Sequence, residues 1–178
     1  MGWTSQRAIY YYKNGAINRK AEIDQLFEEN YKIIRSCLNG STYYGALQDL
    51  STGCVFGMVV LTHVDMKQEM NFYYKSIHEN MGPAERKCPE CILSLLSPTN
   101  ETWTKQWRED CHIYNTKKEM LRAAPVGTKI QLAPEGNNLL LTKTIMRGKS
   151  TPQWVNFDEY IKVRTDDIIR IGFDILEA

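Results

Sequence analysis

Two spacings of apolar residues alternate along this chain, and their order sets the expected architecture. Residues 3–12 are aromatic and β-compatible and end at Asn14-Gly15, which predicts a strand closed by a turn. The pattern then turns helical. Asn18 can cap the next segment, where Ile23, Leu26 and Phe27 recur at i, i+3 and i+4 while Glu22, Asp24, Glu28 and Glu29 take the wet side. Period two returns in residues 31–38 and 41–50, with Asn39-Gly40 between them as the expected hairpin turn. Residues 54–64 are rich in valine and predict a central strand covered on both faces, and residues 71–77 predict a further strand.

At Met81-Gly82-Pro83 the period changes again. Cys88 stands where a helix cap belongs, Pro89 suits the first turn, and Ile92, Leu95 and Leu96 form the expected buried stripe before Ser97-Pro98 ends it. A longer helix is expected from Thr99 or Asn100 to Ala124 with a break near Asn115; its face of Trp103, Trp107, Cys111 and Tyr114 is expected to be buried. Pro125 to Gly127 mark a boundary. Beyond it, residues 129–132, 139–146, 153–157, 160–163 and 168–175 predict short strands. The expected fold is therefore α+β: residues 1–124 form an antiparallel sheet covered by helices, and residues 125–178 form a small SH3-like β-barrel.

Composition narrows the function more than it defines one. With 178 residues, 43% of them hydrophobic, the chain can bury its own core, and 22 basic against 21 acidic residues leave no net field for nucleic acid or anionic membrane. The longest apolar run, residues 55–61, is far shorter than the roughly 20 residues a membrane span needs. Five cysteines and an N-terminal stretch without the apolar core of a secretory signal lead to the expectation of a cytoplasmic protein with reduced thiols.

The nearest approach to chemistry is Cys88-Pro-Glu-Cys91 followed by Cys111-His112, four soft groups of the kind that hold zinc. Adjacent helical residues diverge by about 100°, so Cys111 and His112 do not converge easily on one ion, and Cys111 fits an apolar face. A dithiol redox role fits the spacing at a helix start, but such motifs follow the first strand of a βαβ unit and this one follows an antiparallel meander. No histidine has a general-base partner at a readable spacing, though His78 and Glu79 with a distant Ser or Cys leave an assembled Cys/His enzyme as an alternative. Neither a catalytic set nor a cofactor is expected.

Surface contacts are the other option. Alternate residues of the tyrosine-rich strands must point to opposite faces, so Tyr10, Tyr12, Tyr43 and Tyr73 are candidates for a partner-binding surface, as they are for mere cross-strand pairing. Lys143, Arg147 and Lys149 lie in a stretch without carboxylates, and Arg164 can join them; they could meet phosphates, which makes a nucleic-acid-binding module the first alternative, ahead of the assembled Cys/His enzyme, or form an ordinary solvated face.

Met1-Gly2-Trp3, Thr42-Tyr43-Tyr44 with Ala46, Met81-Gly82-Pro83, Cys88-Pro89 with Ile92-Leu93 and Leu95-Leu96, Pro98-Thr99, and Trp107-Arg108 with Cys111 form an ordered pattern. Over residues 1–115 it resembles a family of proteins without an assigned activity, encoded by bacteriophages, prophages and other mobile elements. That family's pattern holds the first cysteine of the pair and the cysteine of the tryptophan helix; Cys91 departs from it. Small accessory proteins of such elements are often inhibitors of host defence nucleases, anti-CRISPR proteins among them. The resemblance itself implies only that genomic setting, which also holds regulators of phage transcription and replication; the expectation it favours is binding to a host protein or ribonucleoprotein in the bacterial host cell, with a CRISPR effector such as Cas9 as the candidate partner and no membrane.

Overall fold

The computed structural model describes residues 16–65, 71–125, 127–132, 138–140, 154–157 and 161–177. Packing divides the chain into two units, residues 1–112 and 113–178. The expected boundary at 124/125 marks the end of a helix, whereas the division by packing falls inside that helix.

In the first unit, helix α1 (Ala16–Glu28) precedes an antiparallel meander of β1 (Tyr31–Asn39), β2 (Thr42–Asp49), β3 (Val55–Asp65) and β4 (Asn71–His78), in the spatial order 1-2-3-4. A 3-10 turn (Glu79–Met81), a one-turn helix α2 (Glu90–Leu93) and the start of helix α3 (Thr102–Ala123) follow. The sheet is covered on both faces. Ile23 and Phe27 of α1 pack on Tyr43, Leu47, Met58 and Val60. On the opposite face Cys88, Ile92, Leu93, Trp107 and Cys111 pack on Tyr44, Ala46 and Val59. Neighbouring Tyr43 and Tyr44 point to opposite faces, and both are buried. Pointing to opposite faces therefore exposes neither tyrosine of this pair.

Local differences from expectation have physical causes. Asn18 lies within α1 and not ahead of its first turn, and the buried row is Arg19, Ile23 and Phe27, so Leu26, one residue off that row, is exposed. The hairpin turn is shifted by one residue: Asn39 pairs with Thr42, and Gly40, at φ +63°, begins the loop. Helix α2 takes Pro89 as its cap and buries Ile92 and Leu93, because its single turn ends before Leu95 can join the stripe. Helix α3 runs through Asn115 without a break.

In the second unit, Leu121 and Ala124 pack with Ile130 and Ile168. Strands β5 (Lys129–Leu132), β6 (Asn138–Leu140) and β9 (Phe173–Glu177) form one sheet in the order 6-5-9, and β7 (Trp154–Phe157) pairs with β8 (Ile161–Arg164). Among the described residues these pairings do not close a barrel. The strand expected over residues 168–175 is instead helix α4 (Thr165–Ile171) followed by β9. Asp166 and Asp167 favour the positive end of this helix, and Gly172, at φ +94°, ends it. The residues expected to form a strand over 3–12 lie outside the described residues.

Candidate interaction surface

The best-defined polar construction is a carboxylate clasp. Glu79, 2% exposed, accepts from Arg108 Nε at Oε2 (2.8 Å) and from Arg108 Nη2 at Oε1 (2.7 Å), and Oε1 also accepts from the Gly57 backbone N–H at 2.9 Å. Arg108 Nη1 donates to the Ser97 carbonyl at 2.7 Å. Ser97 is in turn laced to β3, its N–H donating to the Val55 carbonyl (2.8 Å) and its Oγ accepting from the Val55 N–H (2.9 Å). A planar guanidinium matched to a carboxylate gives two parallel bonds, and no charge in this cluster is left without an opposite. Gly57 leaves little room for a side chain: a Cβ there would stand 3.1 Å from both Glu79 Oε2 and Trp107 Cζ3. Beside the clasp, Trp107 is 2% exposed and its Nε1 donates to the Glu85 carbonyl at 3.0 Å.

This clasp fixes the backbone beneath an exposed apolar corner. Glu79 opens the 3-10 turn whose last residue is Met81, and His78 Nδ1 accepts from the Asn80 N–H at 3.1 Å to cap that turn. Gly82 closes it at φ +58°, its N–H donating to the Glu79 carbonyl at 3.1 Å. Trp103 lies beside Gly82, so that a Cβ on the glycine would meet its Cε3 at 3.7 Å. Met81 is 73% exposed and Trp103 71% exposed. The expected burial of the Trp103 indole is thus overturned, while Trp107 and Cys111 are buried as expected. In the first turn of α3 the inward position belongs to Thr104, whose hydroxyl donates to Glu101 Oε2 at 3.0 Å. Periodicity names a stripe; it does not show where the surface opposite that stripe stops.

The thiols are arranged for packing. Cys88 and Cys111 are buried in one apolar cluster and Cys37 is packed against it, whereas Cys91 and Cys54 are exposed. Burial pushes the Cys37 thiol up to about 11 and the Cys111 thiol up to about 12. Burial also raises Cys88, with the neighbouring Cys111 adding to it. The thiolate is the nucleophile and the metal ligand, so these three groups hold their protons at neutral pH. His112 Nδ1 is exposed beside Glu90 Oε1 at 2.8 Å. Among the described residues, no group of three or more His, Cys, Asp or Glu is arranged to hold a metal ion; Cys88, Cys91, Cys111 and His112 do not converge. Glu79 is occupied by Arg108, which leaves it unsuited to act with His78 as a base.

Of the expected partner-binding residues, Tyr43, Tyr73 and Arg164 lie on described elements. Tyr43 is at 0% exposure, its hydroxyl donating to Asp24 Oδ1 at 2.8 Å, and is therefore corrected from surface to core. Its ring passes close to Gly45, where a Cβ would fall 2.9 Å from Tyr43 Cε1. Tyr73 stands on β4 opposite His63 in register, and Arg164 is exposed at the end of β8, where it caps α4. Tyr10, Tyr12, Lys143, Arg147 and Lys149 lie outside the described residues. Among the described residues no helix is long and apolar enough to cross a membrane. Comparison with family models, curated proteins and solved structures finds no match.

Proposed function

We propose that this protein acts by binding another protein through the Met81–Trp103 corner, without chemistry of its own. The observation that carries this is the exposure of two large apolar side chains on backbone locked from below by the Glu79–Arg108 clasp. Tryptophan is the side chain most often found at the energetic centre of protein interfaces, and an anchor held in place before binding loses little entropy when it docks. The resemblance over residues 1–115 supports a mobile-element accessory protein, and with it a host defence nuclease of the Cas9 type as the partner class, met in the bacterial cytoplasm. The C-terminal unit is proposed to be a small SH3-like barrel whose two antiparallel pieces are parts of one structure.

The test is co-purification with guide-loaded Cas9-type effectors followed by a DNA-cleavage assay. Wild type is expected to bind and to suppress cleavage, and Trp103→Ala to weaken binding at least tenfold, a loss of about 1.4 kcal/mol or more at an interface anchor. Trp103→Ala is expected to leave the melting transition nearly in place, because the ring is already in water. Binding by wild type that Trp103→Ala does not weaken rules out the corner. Absence of any complex rules out the partner class.

A further inference from the structure

His78 ends β4, pairs in register with Met58 and caps the 3-10 turn, its Nδ1 accepting from the Asn80 backbone N–H at 3.1 Å. A ring nitrogen that accepts carries no proton, so this bond belongs to the neutral tautomer with hydrogen on Nε2. The imidazolium, a donor at both nitrogens, cannot make it. The ring is half-buried and lies against Phe56 of β3, with centroids 4.5 Å apart and planes 20° from parallel. Tyr31 of β1 in turn meets Phe56 edge-on at 5.2 Å, which braces the stack from behind. The charged groups beside the ring are already committed: Glu79, the next residue, is held by Arg108 of α3 and by the Gly57 N–H of β3. Among the described residues no other charged group is bonded to His78.

We infer that His78 is a proton-operated latch on Asn80 and Met81. The turn is capped while the imidazole is neutral, and the cap is released when the ring takes a proton from solvent. Histidine is the side chain that ordinarily changes charge between about pH 5 and 8. On protonation Nδ1–H and the Asn80 N–H become two donors facing each other, and the amide must turn to water. The bond is a property of the neutral form, so its contribution is present at high pH and lost as pH falls through the titration of the ring. The release is local. A charged imidazole is still attracted to the Phe56 face, the Gly82 N–H still donates to the Glu79 carbonyl at 3.1 Å, and the Glu79–Arg108 bonds do not involve the ring. Weaker partner binding in acid is the consequence that rests on the Met81–Trp103 corner as the contact; the latch itself does not rest on it.

The experiment is an NMR titration of full-length, nitrogen-15-labelled protein from about pH 8 to 5, following the His78 ring nitrogens and the Asn80 amide. At high pH the ring is expected as the Nε2–H tautomer. On acidification the Asn80 amide is expected to shift with the midpoint of the ring, and its hydrogen-exchange protection to fall about fivefold or more, as one lost hydrogen bond implies. His78→Asn, whose side-chain oxygen caps without titrating, is expected to keep Asn80 protected across the range. His78→Ala is expected to leave it unprotected at every pH. An Nδ1–H tautomer in the neutral ring, an Asn80 amide indifferent to the ring's midpoint, or a His78→Asn protein whose Asn80 still titrates overturns the latch. Wild type and His78→Asn decide even if His78→Ala folds poorly, and because no partner is present, failure of the corner as a contact leaves these outcomes standing.

Discussion

Arg108 holds Glu79 with two bonds and the Ser97 carbonyl with a third, so its removal strands a carboxylate at 2% exposure. Arg108→Met is expected to cost about 3–5 kcal/mol, read as a shift in the denaturant midpoint. Adding Glu79→Leu is expected to recover only part of this, because the Gly57 N–H then loses its acceptor. Gly57→Ala is expected to cost about 1–3 kcal/mol through overpacking against Glu79 and Trp107. Asp24 ties α1 to the sheet and titrates in the opposite sense from the thiols. Burial alone would raise it, but hydrogen bonds from Lys20, Ser36 and Tyr43 together pull it below 3.8. A carboxyl depressed in the folded state adds stability above its unfolded value, and that stability is lost as pH falls through the folded value. The gap in denaturant midpoint between wild type and Asp24→Asn should therefore be wide at neutral pH and close below 3.8; an unchanged gap would remove Asp24 from the account of acid stability. None of these groupings was legible in the sequence. Asp24 read as a wet-side residue and Glu79 as a possible base, since residues 29 apart meet only through topology.

At the scale of elements, β1 carries a bulge between Ile33 and Arg35 against Leu47 and Ala46. Ile34 is the extra residue. Ile33 and Leu38 pack with the α1-facing cluster and Cys37 with the opposite one, so the bulge is what keeps both ends of the strand in phase. Deleting Ile34 is expected to give a regular strand with every neighbour on its present face, at a cost of less than about 1.5 kcal/mol. Deleting Lys32 instead turns Tyr31 to the wrong face; if thermal melts show both deletions equally damaging, the assignment of the extra residue is wrong. The order of elements from α1 through α3 was legible, because strand and helix periods alternate cleanly between residues 16 and 123. The turn at Gly40 was misplaced by one residue, since Asn39-Gly40 states a preference that the Asn39–Thr42 pairing overrides. Helix α4 was missed because Ile168 to Ile171 has strand-like composition. The paired aspartates before it were the available signal.

For the whole molecule, helices cover both faces of the four-stranded sheet, which takes Tyr43 and Tyr44 into the core. Trp103 was grouped with Trp107 by spacing alone, and only the neighbours around Gly82 separate an indole in water from an indole in the core. The central claim is that this exposed corner, held by buried charge, carries a protein–protein contact. The most direct measurement is a titration of guide-loaded Cas9-type nuclease with wild type and with Trp103→Ala, scoring DNA cleavage alongside the melting temperature of each protein. The account predicts dose-dependent inhibition by wild type and a tenfold or greater loss of potency in the variant at unchanged melting temperature. Inhibition of equal potency by both proteins, or by neither, would contradict it.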